Sequence, residues 1–224
     1  MPGYYADRLA GERLRDCYAL APPRVRAYLE AEIAFVLERI TPEMQVLELG
    51  CGYGRVLRPL VAAARSVTGI DTSEPSLRLA REHVGPAPGL RLAAMDAAGL
   101  AFRDRSFDLT ACIQNGISAF AVDQERLLAE AVRVTRAGGR VLFSSYAERF
   151  WEDRLAWFEA QAAHGLIGPI DREATGDGVI VCRDGFRATT VDAARFTLLA
   201  ARLGLVPRVQ EVAGASLFCE LVVP

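Results

Sequence analysis

The chain has 224 residues, 51% hydrophobic and 24% charged, close to ordinary globular usage, so disordered and fibrous classes are excluded and one sizeable core can form. A formal net charge of -2 leaves no basic footprint for displacing counterions from nucleic acid or an anionic membrane. All 26 basic residues are arginine, and without lysine a P-loop, a Schiff base and pyridoxal-phosphate chemistry are all excluded.

Along the chain, Tyr4 to Tyr18 is aromatic and sparsely apolar. Val25, Tyr28, Leu29, Ile33, Val36, Leu37 and Ile40 then recur at helical spacing between Pro22-Pro23 and Thr41-Pro42, which predicts an amphipathic helix. Gln45 to Leu49 reads as a strand, Gly50 to Gly54 as a tight turn, and Val56 to Val61 as a helix. A second strand over 66–70 leads into a helix over about 75–83 that Ser73 can cap. Leu90 to Ala94 and Phe107 to Ile113 give two more strands, 123–134 a helix, and 139–144 a fifth strand entered through Ala137-Gly138-Gly139.

Residues 145–190 are less regular. They hold Tyr146, Phe150, Trp151, Trp157 and Phe158, then a hairpin signal at Asp184-Gly185. A helix over 192–203 precedes strands at 208–212 and 217–223, joined by four residues. That link is too short for a crossover, so the last strand must run antiparallel to its neighbour. Strands alternating with helices predict an α/β, Rossmann-like doubly wound sheet, mostly parallel with a reversed C-terminal strand and helices on both faces. In such a sheet, ligand-binding residues follow the strands.

The cysteines, Cys17, Cys51, Cys112, Cys182 and Cys219, are odd in number and contain no Cys-x-x-Cys pair, so they read as reduced thiols with no metal site. No apolar leader or membrane-length run is present, and the expected location is cytoplasmic, with no membrane partner.

The chemistry concentrates in Glu48-Leu49-Gly50-Cys51-Gly52-Tyr53-Gly54, between a strand and a helix. Glycines let a ligand approach the backbone, and the helix start offers free amides. Asp71 ends the next strand 21 residues beyond Gly50, where an acid can hydrogen-bond ribose hydroxyls. Together these describe a nucleoside pocket; a structural turn with a helix-capping Asp71 is the plainer reading.

Through Val46 to Gly54 and Gly69-Ile70-Asp71 the chain resembles the class I S-adenosylmethionine-dependent methyltransferases. The resemblance covers about 25–144 and the C-terminal helix and strand pair. It implies S-adenosylmethionine as cofactor, held by Glu48, Gly50, Cys51, Gly52, Gly54, Asp71, Thr72, Asp96, Ala97 and Gln114, with Asp71 on the ribose and Asp96 on the adenine amine. A single domain is expected: an N-terminal helical cap over 1–40, a core over 41–144 and 191–224, and an insertion over 145–190, outside the resemblance, that forms part of the acceptor site because it is aromatic-rich and flanks the core. Asn115, Tyr146 and His164 are the candidates for catalysis, although Asn115-Gly116 is also an ordinary turn pair. His83, near a helix end, reads as structural.

The acceptor is expected to be a small molecule, a thiol, metalloid, amine or phenol. Cys17, Cys182 and Cys219 are the candidates for a thiolate trio, weighed against plain core thiols. A nicotinamide-dependent oxidoreductase is the enzyme alternative, opposed by the Gly-x-Gly-x-Gly spacing and by Arg55 at the helix start. A non-catalytic S-adenosylmethionine-binding module is the other.

Overall fold

The computed structural model describes residues 4–224, so the first three residues of the expected cap lie outside it. The chain opens with three helices, α1 (Tyr4–Arg8), α2 (Glu12–Ala19) and α3 (Pro23–Leu37). Then follow β1 (Gln45–Leu49), α4 (Leu57–Ala63), β2 (Ser66–Asp71), α5 (Glu74–Val84), β3 (Leu90–Ala94) and β4 (Phe107–Cys112). The next elements are α6 (Gly116–Ala119), α7 (Gln124–Val134), β5 (Thr135–Tyr146) and α8 (Trp151–Ala163). The chain ends with β6 (Ile180–Val181), β7 (Arg187–Ala188), α9 (Ala193–Arg202), β8 (Arg208–Val212) and β9 (Ser216–Val222).

Seven strands form one sheet in the order β3-β2-β1-β4-β5-β9-β8. The first five are parallel, and β9 pairs antiparallel with both β5 and β8. The fold is the expected Rossmann-like α/β sheet with a reversed final strand. Its interior strands are near-continuous apolar runs because both faces are covered. Phe35 and Val36 of α3, Leu57 and Leu60 of α4 and Ala80 of α5 share one buried cluster, and Leu127 and Leu128 of α7 with Phe196 and Leu199 of α9 share another. Side-chain caps start three of the helices: Ser73 Oγ accepts from Ser76 N, Asp123 from Arg126 N and Asp192 from Arg195 N.

Two of the longer elements differ from the sequence expectation. Strand β5 begins at Thr135, directly after α7, because the glycine pair sits inside the strand as an irregularity: Phe107 pairs with Thr135, and Leu109 with Arg140. Helix α8 has no counterpart in the sequence reading. Its buried face is Arg154, Trp157, Phe158 and Gln161, at ideal i, i+3, i+4, i+7 spacing, but two of the four are polar and hide the apolar stripe. Helix α8, α3 and the 180–188 hairpin enclose a third cluster holding Tyr28, Phe150, Trp157, Phe158 and Phe186.

The strand order reverses between β1 and β4, and the loops leaving these two strands flank the crevice in which such sheets bind ligands.

Candidate active site

The turn after β1 carries Gly50, Gly52 and Gly54, all at positive φ. At Gly50 a Cβ would lie 2.3 Å from the Phe120 ring, so only glycine lets that ring close over the turn. At Gly54 a Cβ would meet Ala80 of α5 at 3.1 Å. Asp71 lies opposite, with its carboxylate accepting from Gly52 N at 2.9 Å and from Ser73 N at 2.8 Å. These amides hold the acid in place and oppose the upward pull of burial on its pKa. Asp96, after β3, accepts from Ala98 N at 2.8 Å. Glu48 is buried beneath the turn, and its Oε2 has no hydrogen-bond partner. Burial pushes its carboxyl up to about 8, with Arg55 opposing and Asp71 adding to the shift.

The far wall comes from the N-terminal helices and α8. Tyr18 donates its hydroxyl to Gln114 Oε1 at 2.9 Å, and Trp157 donates its indole N–H to Cys17 O at 2.9 Å. Arg13 holds the carbonyls of Gly165 and Leu166, each at 2.8 Å. Tyr4 and Arg8 both reach Asp184. Gln114 lies in the left-handed region with its Nε2 unpartnered; its backbone N–H is held by Glu32 at 2.9 Å and Ser144 Oγ at 2.8 Å. Glu32, fully buried on α3, is a positioning residue that the sequence reading misses, because one acid within an apolar helix pattern looks like part of a solvated face.

One cavity of about 390 Å³ runs between these walls. Gly50, Gly52, Asp71, Thr72, Asp96 and Ala97 line one end; Tyr5, Cys17, Tyr18, Tyr146, Trp157, Phe158 and Gln161 line the other, with Gln114 and Phe120 between.

Five of the expected site residues stand elsewhere. Glu48 lies behind the turn rather than on the cavity surface. Cys51 is buried, and its Sγ would stand 3.0 Å from a Cβ on Gly69 of β2, the position of a packing thiol. Gly54 serves helix packing against α5. Asn115 is also outside the cavity lining: its Nδ2 donates to Thr189 O and its Oδ1 accepts from Ser145 Oγ, both at 2.9 Å. Both ends of its amide thus join the β4 turn to the insertion. His164 caps the C-terminus of α8, exposed, with Nδ1 at 2.8 Å from Ala160 O, outside the cavity lining. His83 packs its ring edge-on to Tyr53 at the end of α5. Cys17 and Cys182 belong to the third cluster, whereas Cys219 belongs to that of α7 and α9, so these three thiols are not gathered around one point.

Residues 46–139 match a family model described as a methyltransferase domain. The chain is 35% identical over 119 residues to a malonyl-[acyl-carrier protein] O-methyltransferase of Methylococcus capsulatus, covering 52% of this chain and 42% of that protein. It is 34% identical over 139 residues to an arsenite methyltransferase of Aquipseudomonas alcaligenes, covering 56% of this chain and 40% of that protein. The chain thus spans less than half the length of these curated relatives. Among solved structures, the DhpI-SAM-HEP complex shares the fold with a TM-score of 0.65 at 22% identity, over 97% of this chain and 94% of that one. From its first strand into its fifth the sheet is thus matched by a methyltransferase domain, and its fold is that of the S-adenosylmethionine-dependent methyltransferase structures.

Proposed function

We propose that the protein transfers a methyl group from S-adenosylmethionine to a small-molecule acceptor. The observation that supports this most directly is one cavity with two chemically different ends, a glycine turn with two carboxylates and an aromatic chamber. The residues fit the cofactor. Phe120 over Gly50 forms a cradle that any side chain at Gly50 would fill, and Asp71 and Asp96 offer acceptors for hydroxyls and an amine. When bound, the cofactor supplies an electrophilic methyl on a sulfonium.

What the chain adds is placement. Fixing two reactants in a near-attack geometry removes about 7–11 kcal/mol of barrier. Gln114 and Tyr18, tied to each other at the middle of the cavity, orient the acceptor, and the aromatic wall excludes water. Tyr146 and Cys17 are poor bases, since burial pushes each up to about 12. The acceptor therefore brings its own nucleophilic form.

In this reading residues 1–40 and 145–190 form the acceptor cap over a core of 41–144 and 191–224, within one domain. Five free, buried cysteines support a reducing, cytoplasmic setting, and the slightly negative net charge disfavours a nucleic-acid partner. Isothermal calorimetry with S-adenosylhomocysteine and NAD, followed by mass spectrometry of S-adenosylhomocysteine formed from S-adenosylmethionine with thiol, amine, phenol and arsenite acceptors, tests it. Binding of S-adenosylhomocysteine without NAD binding, together with turnover on one acceptor class, is expected. Micromolar NAD affinity overturns it.

A further inference from the structure

Arg154 of α8 is 1% exposed, yet no carboxylate among the described residues lies within the 4.0 Å of an ion pair. Its Nη1 donates to Gly178 O at 2.9 Å and its Nη2 to Ala188 O at 3.0 Å, while Nε has no partner. Aromatic faces supply the rest of its surroundings: the guanidinium stands 4.4 Å from the ring centre of Tyr146 and 5.7 Å from that of Phe158. Both rings line the cavity, so the charge lies one ring behind its wall.

A buried cation held by two neutral carbonyls and ring faces is incompletely compensated. Its field reaches into the chamber with little screening, because rings rather than water intervene. Tyr5 from α1, Tyr28 from α3 and Tyr146 from β5 face it, all neutral because burial raises each of them. The acid acting on Tyr146 is Glu32, which is engaged by Gln114 N and Ser216 Oγ and is itself pushed toward its neutral form. No acidic side chain lines the aromatic end of the cavity.

We infer that this chamber selects an anionic acceptor, a small thiolate, phenolate or carboxylate, and discriminates against an ammonium. The inference rests on the methyltransferase reading for the word acceptor, but the charge preference belongs to the chamber itself. An anion there compensates Arg154 across the Tyr146 ring, whereas a cation adds to an uncompensated charge.

Benzoate, benzamide and benzamidinium have nearly the same shape and differ in charge, and each is titrated calorimetrically into the full chain with and without S-adenosylhomocysteine. Benzoate is expected to bind at least about tenfold more tightly than benzamide, and benzamidinium more weakly than either. In Arg154→Met the benzoate and benzamide affinities should converge to within about threefold, and in Arg154→Lys the preference should persist. Equal binding of benzoate and benzamide, tighter binding of benzamidinium, no binding of benzoate, or a preference unchanged in a folded Arg154→Met overturns the inference. The natural chain decides this even where Arg154→Met does not fold. Failure of S-adenosylhomocysteine to bind strikes the methyltransferase reading instead, since titrations of the ligand-free chain report the charge preference separately.

Discussion

Asp71 does two jobs with one carboxylate, fixing the glycine turn through Gly52 N and Ser73 N while presenting an acceptor to the cavity. Asp71→Ala should therefore weaken S-adenosylhomocysteine binding by about 1.5–3 kcal/mol, read by calorimetry alongside a circular-dichroism spectrum that stays native. Glu48 makes a different prediction. Its folded pKa of about 8 lies above the ordinary carboxylate range, so at intermediate pH the folded chain holds a proton that the unfolded chain releases. Stability then falls as pH rises toward 8, with a contribution from this group of at most about 1.4 kcal/mol per pH unit. Urea midpoints of the ligand-free chain between about pH 5.5 and 7.5 should decline, and in Glu48→Gln they should decline less steeply. Asn115 was legible as the residue after β4, but not as a strut. Because its amide joins Ser145 to Thr189, Asn115→Ala should cost about 1–3 kcal/mol in urea unfolding while S-adenosylhomocysteine affinity changes little.

Among the elements, α1 and α2 depend most on their surroundings. At five and eight residues they are shorter than the ~12–15 that hold a helix alone in water. Helix α2 is fastened by Tyr18 to Gln114, by Arg13 to Gly165 and Leu166, and by Trp157 to Cys17 O, and α1 by Tyr4 and Arg8 to Asp184. Leu14 of α2 also lies against the turn, 2.9 Å from where a Cβ on Gly52 would stand. Deleting residues 1–18 should leave the sheet folded but lower turnover by more than about tenfold, since one wall of the cavity goes with it. Amide exchange over 4–19 should slow when S-adenosylhomocysteine is added; equal exchange with and without it would show that this segment does not respond to the cofactor. Helix α8 escaped the sequence reading for a related reason. Arg154 and Gln161 face inward to the third cluster and the chamber, and only that partner surface makes polar residues part of a buried stripe.

For the whole molecule, the chamber holds no histidine and no acid, so the proton balance of the reaction rests with the acceptor. Turnover should rise with pH along the acceptor's own ionisation, and His164→Ala, at an exposed helix end, should reduce kcat by less than about tenfold. Loss of turnover in His164→Ala at saturating substrate would show that the helix end reaches the chemistry after all. The sequence by itself determined the parallel sheet, the reversed final strand, the glycine turn and the placing of Asp71 and Asp96, because each depends on local rules: apolar period, turn residues and distance along the chain. It also narrowed the catalytic options through the absence of lysine. The tertiary structure alone decided that Asn115 and Gly54 hold the fold while Gln114 lines the cavity, that His164 stays outside, and that Arg154 is buried without an acid. Those outcomes depend on which side chains meet across more than twenty residues of chain, and burial and electrostatic compensation are set only when distant elements pack.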